Sequence, residues 1–253
     1  MPGLRDRARH AALPVMSAWQ RARHRGMGSR ERWEDGLDTE VRFWRAYLRH
    51  NLEPGGPGHY RVDPDWSLEE DAVLAPVVAG LDGDRVRILD VGAGPLTVLG
   101  KRCPGKAVEI AAIDPLAEAY DRLLAEAGID PLVRTRAGHG EQVAELFAPA
   151  SFDVAYSSNA LDHGYDPAAA IAAMVAVVRP GGAVVLRHAR NEGETQRYLG
   201  LHQWNLDARD GELVVWRPGE ERNVSRELAG RARGDVRVQD GELIAVLTVE
   251  GPC

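Results

Sequence analysis

Cysteine is scarce: the 253 residues hold two, Cys103 and Cys253. That is no disulfide framework, and neither has the paired spacing of a zinc site. Long hydrophobic runs are missing too. No stretch approaches membrane-spanning length and no secretory signal is visible, so a cytoplasmic protein with no membrane partner is expected. Positive charge is in deficit, with 31 Lys and Arg against 38 Asp and Glu and a net charge of −7. A nucleic-acid surface needs the opposite balance, so nucleic acid is not an expected partner. Internal repeats and low-complexity tracts are absent. What remains is an ordinary globular composition, 44% hydrophobic and 27% charged. The length suits one α/β domain with an added helical segment.

The densest chemical signal runs from Val86 to Pro95. An apolar run ends in Asp90 and meets the turn Gly92-Ala93-Gly94. A second apolar run, Val108 to Ile113, ends in Asp114 and Pro115. Strand, tight turn, helix, strand and acidic tip form a nucleotide-binding α/β unit. Glycine lets backbone approach a ligand without a Cβ clash, and the second acid is placed to accept hydrogen bonds from a ribose diol. An adenosine-containing cofactor follows. A dinucleotide fingerprint would carry a third glycine where Thr97 stands. Pro95 removes an N–H that a pyrophosphate would use, and Asp90 would repel a diphosphate but suit an ammonium.

Asp90-Val-Gly-Ala-Gly-Pro95 resembles the first motif of the class I S-adenosylmethionine-dependent methyltransferases of small-molecule type. Three further segments carry the resemblance in the same order: Gly138-His-Gly-Glu141, the run Ser151-Phe-Asp-Val through His163, and Val178-Arg-Pro-Gly-Gly182. It is firm over residues 84–190 and loose beyond. It implies a Rossmann-like α/β fold: a doubly wound, seven-stranded, mostly parallel sheet with an antiparallel C-terminal edge strand and an N-terminal helical lid. S-adenosyl-L-methionine is the implied cofactor. Asp90, Gly92, Ala93 and Gly94 would cradle it, with Asp114 and Pro115 at the ribose. Gly140, Glu141 and Gln142 would lie against the adenine, and Ser158, Asn159 and Ala160 beside the methionine part. His139 departs from the pattern, which often has Asp there for the adenine amino group; Glu141 or Gln142 would take over.

Residues 1–66 are expected as the helical lid segment and 67–253 as the cofactor-binding domain. The basic start, with Arg5, Arg7 and Arg9, is expected to be poorly ordered over residues 1–13. Between Glu31 and His50, Trp33, Leu37, Val41, Phe43, Trp44, Tyr47 and Leu48 recur at helical spacing. They read as a core-facing stripe, with Trp33, and with it Trp44, as candidates for a lid over the substrate. Leu52 to Gly58 is a breaker-rich linker, and Ser67-Leu-Glu-Glu70 has a capping-box pattern. Strands are expected at 86–91, 108–113, 132–136, 152–157 and 183–187, and helices at 96–103, 115–127 and 140–147. A further helix starts at Asp166-Pro167 and stops at Pro180. Strands at 212–216, 236–238 and 243–249 read as a closing antiparallel region.

Methyl transfer requires binding, alignment and at most one base, and ligands of such sheets sit outside the carboxyl ends of the strands. The fourth strand tip offers Asp162 and His163; an imidazole, with a pKa of about 6.5, suits a base. The fifth offers His188 and, in the loop after it, His202. These three histidines are the catalytic candidates. Glu192, Tyr198, Trp204 and Asn205 are the substrate-binding candidates with Trp33, since a polar loop after a strand tip tends to carry function. The run Gly200 to Asn205 resembles methyltransferases of polysaccharide and secondary-metabolite pathways. Asp162, His163 and His188 are of metal-ligand type, but their spacing is not diagnostic and no metal is expected. Asn159-Ala-Leu-Asp162 lacks the Pro-Pro-aromatic motif of amino-methylating nucleic-acid enzymes. The expected function is methyl transfer to O or N of a small polar acceptor: a sugar, an aminoglycoside-like compound or a peptide natural product. A non-catalytic S-adenosylmethionine-binding regulatory or scaffold protein is the alternative; Pro95 and Thr97 disfavour a dinucleotide oxidoreductase. The assembly is left open, a homodimer included.

Overall fold

The structure, a computed structural model, describes Gln20 and residues 22–251. The disorder expected at residues 1–13 lies outside the described residues, as does Cys253. No helix among the described residues is long and apolar enough to cross a membrane.

The frame is a seven-stranded sheet ordered β3-β2-β1-β4-β5-β10-β9. Its strands are β1 (Arg85–Val91), β2 (Ala107–Asp114), β3 (Thr135–Ala137), β4 (Phe152–Ser158), β5 (Val178–Ala189), β9 (Ala232–Gln239) and β10 (Glu242–Val249). The first five pair in parallel, and β10 runs antiparallel between β5 and β9. The C-terminal hairpin therefore closes that side of the sheet as the sequence suggests. β1 is buried from Val86 to Val91 save the partly exposed Arg87, as a central strand with helices on both faces requires. The expected helix from Asp166 is α5 (Pro167–Val177), capped by the Asp166 carboxylate, which accepts the Ala169 N–H. It is apolar on all sides, and a second sheet, not expected from the sequence, shares its hydrophobic core with it. That sheet has the order β6-β7-β8 (Asn205–Arg209, Glu212–Arg217, Glu220–Asn223).

Three expectations need correction. The helix at 96–103 does not form. Pro95, Gly100, Pro104 and Gly105 break the segment, and it pairs outward instead: the Lys101 N–H donates to Trp66 O at 2.8 Å and the Leu68 N–H to Arg102 O at 2.7 Å. A side chain at Gly100 would strike the Ser67–Leu68 backbone at 2.2–2.3 Å. Pro180-Gly-Gly182 is no loop ahead of the fifth strand but part of β5, which starts directly at the end of α5 and shifts register against β4 between Phe152 and Val154. The capping pattern at Ser67 yields only a 3-10 turn, Leu68–Glu70, with Ser67 accepting the Glu69 N–H.

The first long helix, α1 (Ser29–His50), matches the expected span. Its apolar stripe packs on α3 (Ala117–Ala127) through Leu48, Trp44, Tyr120, Leu123 and Leu124. Phe43 is off the stripe and 55% exposed, since its neighbour Trp44, about 100° round the helix, takes the inward position.

Candidate active site

Asp90, next to last in β1, and Asp114, at the end of β2, lie on neighbouring parallel strands, and both are buried. Thr97 donates its hydroxyl to Asp90 at 2.5 Å. Burial pushes the Asp90 carboxyl up to about 6, against the Thr97 hydrogen bond and the charges of Arg61 and Lys101. Asp114 accepts the Gly94 N–H at 3.1 Å and the Leu116 N–H at 2.9 Å, yet burial pushes it up to about 7. A carboxylate has about four acceptor positions, so two donors leave Asp114 with acceptor capacity for a ligand. Gly92 and Gly94 have φ of 74° and 66°, the left-handed region glycine alone enters freely. Protein atoms occupy the room they leave: a Cβ would fall 2.3 Å from Ala160 Cβ at Gly92 and 2.7 Å from the Trp44 ring at Gly94.

That ring belongs to α1, which crosses the carboxyl ends of the strands. Trp33 meets the His139 ring at 5.0 Å. A Cβ at Gly36 would lie 2.5 Å from Leu201 Cδ2 and 3.1 Å from Gly200 O. Glu40 Oε2 stands 3.9 Å from His163 Nδ1, and Glu40 Oε1 accepts the Trp44 indole N–H at 2.8 Å. Residues 33, 36, 40 and 44 share one helix face. Arg61 fastens this face to the glycine turn. Its guanidinium lies 5.4, 5.6 and 5.5 Å from the rings of Trp44, Tyr47 and Tyr60, and its Nη1 donates to Leu96 O at 2.5 Å.

The second polar centre follows β4. A 3-10 turn, Leu161–His163, presents Asp162 and His163. The N–H groups of Gln203 and Trp204 donate to Asp162 O at 3.0 and 3.2 Å, which brings His202 alongside. Asp162 Oδ2 lies 2.7 Å from His202 Nδ1, and His163 Nε2 lies 3.1 Å from that same nitrogen. Burial would raise Asp162, but the charge of His163 and the bond to His202 outweigh it and hold the carboxyl at about 2. Burial pulls His202 down, and the bond and charge of Asp162 overcome it and raise the imidazole. His188, at the end of β5, is 1% exposed and pushed down to about 4 by burial.

The remaining expected residues divide. Asn159, with φ 47°, stitches the tips of β4 and β5: its Oδ1 accepts the Ala189 N–H at 2.7 Å and its N–H donates to Arg187 O. Ser158 precedes it, partly buried. Ala93 and Pro115 flank the glycine turn and the tip of β2, and Gln142 lies in the 3-10 turn beside Gly140. Gly140 has Val91 and Ala170 against it. Glu141 accepts the N–H groups of Tyr165 and Asp166 at 2.9 and 3.0 Å, so this carboxylate holds the loop ahead of α5. His139 sits between Trp33 and Tyr165. Glu192 accepts from Gln196, and the Tyr198 hydroxyl accepts from Asn205 Nδ2 at 3.0 Å. Trp204 and Asn205 are both buried. Trp204 packs into the core under the Arg217 guanidinium, 3.9 Å from its ring, and Asn205 bonds Tyr198 and the Glu194 N–H. His188 is likewise enclosed. Glu40 and Arg61 were missed. Glu40 had a signal, a lone acid on the apolar face defined by Trp33, Leu37 and Trp44; Arg61 had none in its local sequence.

Residues 89–186 match the family model of a methyltransferase domain. No curated protein matches the chain. The DhpI–SAH complex covers 86% of this chain and 98% of its own, at 16% identity and a TM-score of 0.47. A SAM-dependent methyltransferase from Methanosarcina mazei covers 70% and 98%, at 17% identity and 0.42. The T. thermophilus 16S rRNA N2 G1207 methyltransferase RsmC, in complex with AdoMet and guanosine, covers 75% of this chain at 18% identity and 0.38. This chain spans 42% of the length of that enzyme. The parallel 3-2-1-4-5 strand order with its antiparallel closing hairpin is the Rossmann-like fold that the sequence resemblance implies, and within it residues 89–186 are similar to a methyltransferase domain.

Proposed function

We propose that the chain transfers the methyl group of S-adenosylmethionine to an oxygen or nitrogen of a small polar acceptor. The observation that carries the acceptor class is the cluster of Asp162, His163 and His202 at the tip of β4, beside the glycine turn. A polar, titratable cluster there suits a hydroxylated or amino acceptor that must shed a proton, and suits a flat apolar ring poorly. The net charge of −7 favours a small molecule over nucleic acid.

When bound, S-adenosylmethionine supplies a methyl group on a positively charged sulfur, already activated for transfer. The buried acids fit it: Asp114 retains acceptor capacity for a ribose diol, and Asp90 adds negative charge that favours a ligand with an ammonium and a sulfonium. Trp44 covers Gly94, so α1 must shift for a ligand to cross the turn. On this reading residues 1–66 form the lid and 67–253 the cofactor domain. With α1 closed, Trp33, Glu40 and Trp44 exclude water from the strand tips. Asp114 orients the ribose, Asn159 holds the tips of β4 and β5 together, and the Asp162 cluster receives the acceptor.

The test is a calorimetric titration with S-adenosylmethionine and S-adenosylhomocysteine, on wild type and Asp114→Ala, followed by an acceptor screen. Loss of charge-assisted ribose bonds predicts weakening by about 1–3 kcal/mol in the variant. Turnover confined to apolar aromatic acceptors would refute the acceptor class. Tight cofactor binding without turnover on any acceptor would favour a regulatory or scaffold role.

A further inference from the structure

Asp162, His163 and His202 form the one group of three metal-ligand side chains that converge among the described residues. We propose that Asp162 Oδ2, His163 Nε2 and His202 Nδ1 bind a divalent transition-metal ion of the zinc and cobalt class.

The distances carry the argument. The three atoms are 2.7 Å apart for Asp162–His202, 3.1 Å for His163–His202 and 3.6 Å for His163–Asp162. Ligands 2.0–2.1 Å from one ion stand about 3.3 Å apart in a tetrahedron and about 3.0 Å apart on an octahedral face. The observed triangle brackets both values. Hydrogen bonding alone serves the triangle poorly. His202 Nδ1 carries one proton or one lone pair. If it donates to Asp162, the nearby His163 Nε2 faces a nitrogen that is already engaged. A cation meets all three lone pairs at once.

The surroundings agree. Asp162 is buried, while the two imidazole side chains are 20% and 27% exposed, which leaves a route for an ion from solvent. Glu40 Oε2 stands behind the His163 ring, 3.9 Å from Nδ1, so an acid lies on the side of the imidazole away from the proposed ion. Two imidazoles and one carboxylate select transition metals over magnesium and calcium, which take oxygen ligands. Three protein ligands leave coordination positions open for a hydroxyl oxygen of the acceptor; this role, though not the binding itself, rests on the proposed function.

The experiment uses the full chain, tag-free and stripped with chelator, then loaded with Co²⁺ or Zn²⁺ and desalted. Elemental analysis is expected to find about one ion per chain, and Co²⁺ to give a visible absorption spectrum of protein-bound metal. His163→Ala and His202→Ala should each lower affinity at least 10-fold, Mg²⁺ should not compete, and the surface variant His50→Ala should retain the ion. Circular dichroism and S-adenosylhomocysteine titration on the same samples report folding and cofactor binding. Less than about 0.1 ion per chain in folded, cofactor-binding wild type would overturn the site and leave the methyltransferase reading standing. Undiminished affinity in the folded double variant His163→Ala/His202→Ala would overturn it as well. Metal binding without cofactor binding would sink only the methyl-transfer role.

Discussion

Asp114 and Asp162 are buried carboxylates at the same end of one sheet, and their surroundings drive them in opposite directions. Burial is the largest influence on each and raises both. Asp114 has only two backbone N–H groups to set against it and is pushed up to about 7. Asp162 has two imidazoles and is held at about 2. Partners, rather than depth, decide the sign. Asp114 is an acid whose demand for donors is unmet by the protein, and this lowers stability at neutral pH. Asp162 is a partnered acid that ties two loops together. The cofactor half of the site thus weakens the fold, and the histidine half strengthens it.

The largest effect expected from this contrast is in Asp162→Ala. Removing a buried acid from two imidazoles is expected to destabilise by about 3–5 kcal/mol, read as a lowered urea midpoint. An unchanged midpoint would erase the contrast. Gly36→Val comes next. Its Cβ would meet Leu201 Cδ2 at 2.5 Å and Gly200 O at 3.1 Å, and overpacking of this kind costs about 1–3 kcal/mol. The expected loosening is local, with hydrogen exchange faster at residues 199–204 than at the glycine turn. Equal acceleration at both would mean that α1 moves as one rigid cover over the two halves.

How much of this was legible in sequence follows the range of the interactions. The β1 turn, Asp114 and the cap at Asp166 were readable because strand, turn and cap chemistry are local. The failed helix at 96–103 was over-read from the motif: Pro95, Gly100 and Pro104 were visible, but the pairing partner at residues 66–68 was not. Phe43 was assigned to the stripe by spacing alone. The burial of Trp204 and Asn205 was not legible because the three-stranded meander that starts at Asn205 shares a core with the helix at 167–177, and no local pattern shows that docking. His202 and His163 were each legible, but their meeting depends on the Asp162 carbonyl accepting from Gln203 and Trp204, a contact no local pattern announces.

Asp114→Asn tests the other half. The folded-state value near 7 lies above the unfolded value of 3.8, so the folded protein holds the proton between them. Its contribution to stability is full below about pH 4 and lost as pH rises through 7. Asparagine removes that decline. The variant is expected to gain about 1–2 kcal/mol at pH 8 and nothing at pH 4, while S-adenosylhomocysteine binds about 10-fold more weakly. A loss of stability at pH 8 would show that Asp114 is better satisfied than its burial implies.

Arg61→Met gives the smallest effect and the sharpest discrimination. Methionine keeps much of the apolar stem but loses the guanidinium that faces Trp44, Tyr47 and Tyr60 and the bond to Leu96 O. Cation–π contacts contribute about 0.5–2 kcal/mol, so a destabilisation of about 1 kcal/mol is expected. It also removes a charge that lowers Asp90, leaving that acid further raised. The consequence should be confined to the cofactor half: α1 exchanges faster over residues 40–48, and cofactor association quickens because Trp44 leaves Gly94 more readily. Exchange at residues 199–204, tied by Asp162 instead, should stay at the wild-type rate. Faster exchange there would mean that Arg61 holds α1 over both halves, and the two carboxylates would then answer to one common clasp.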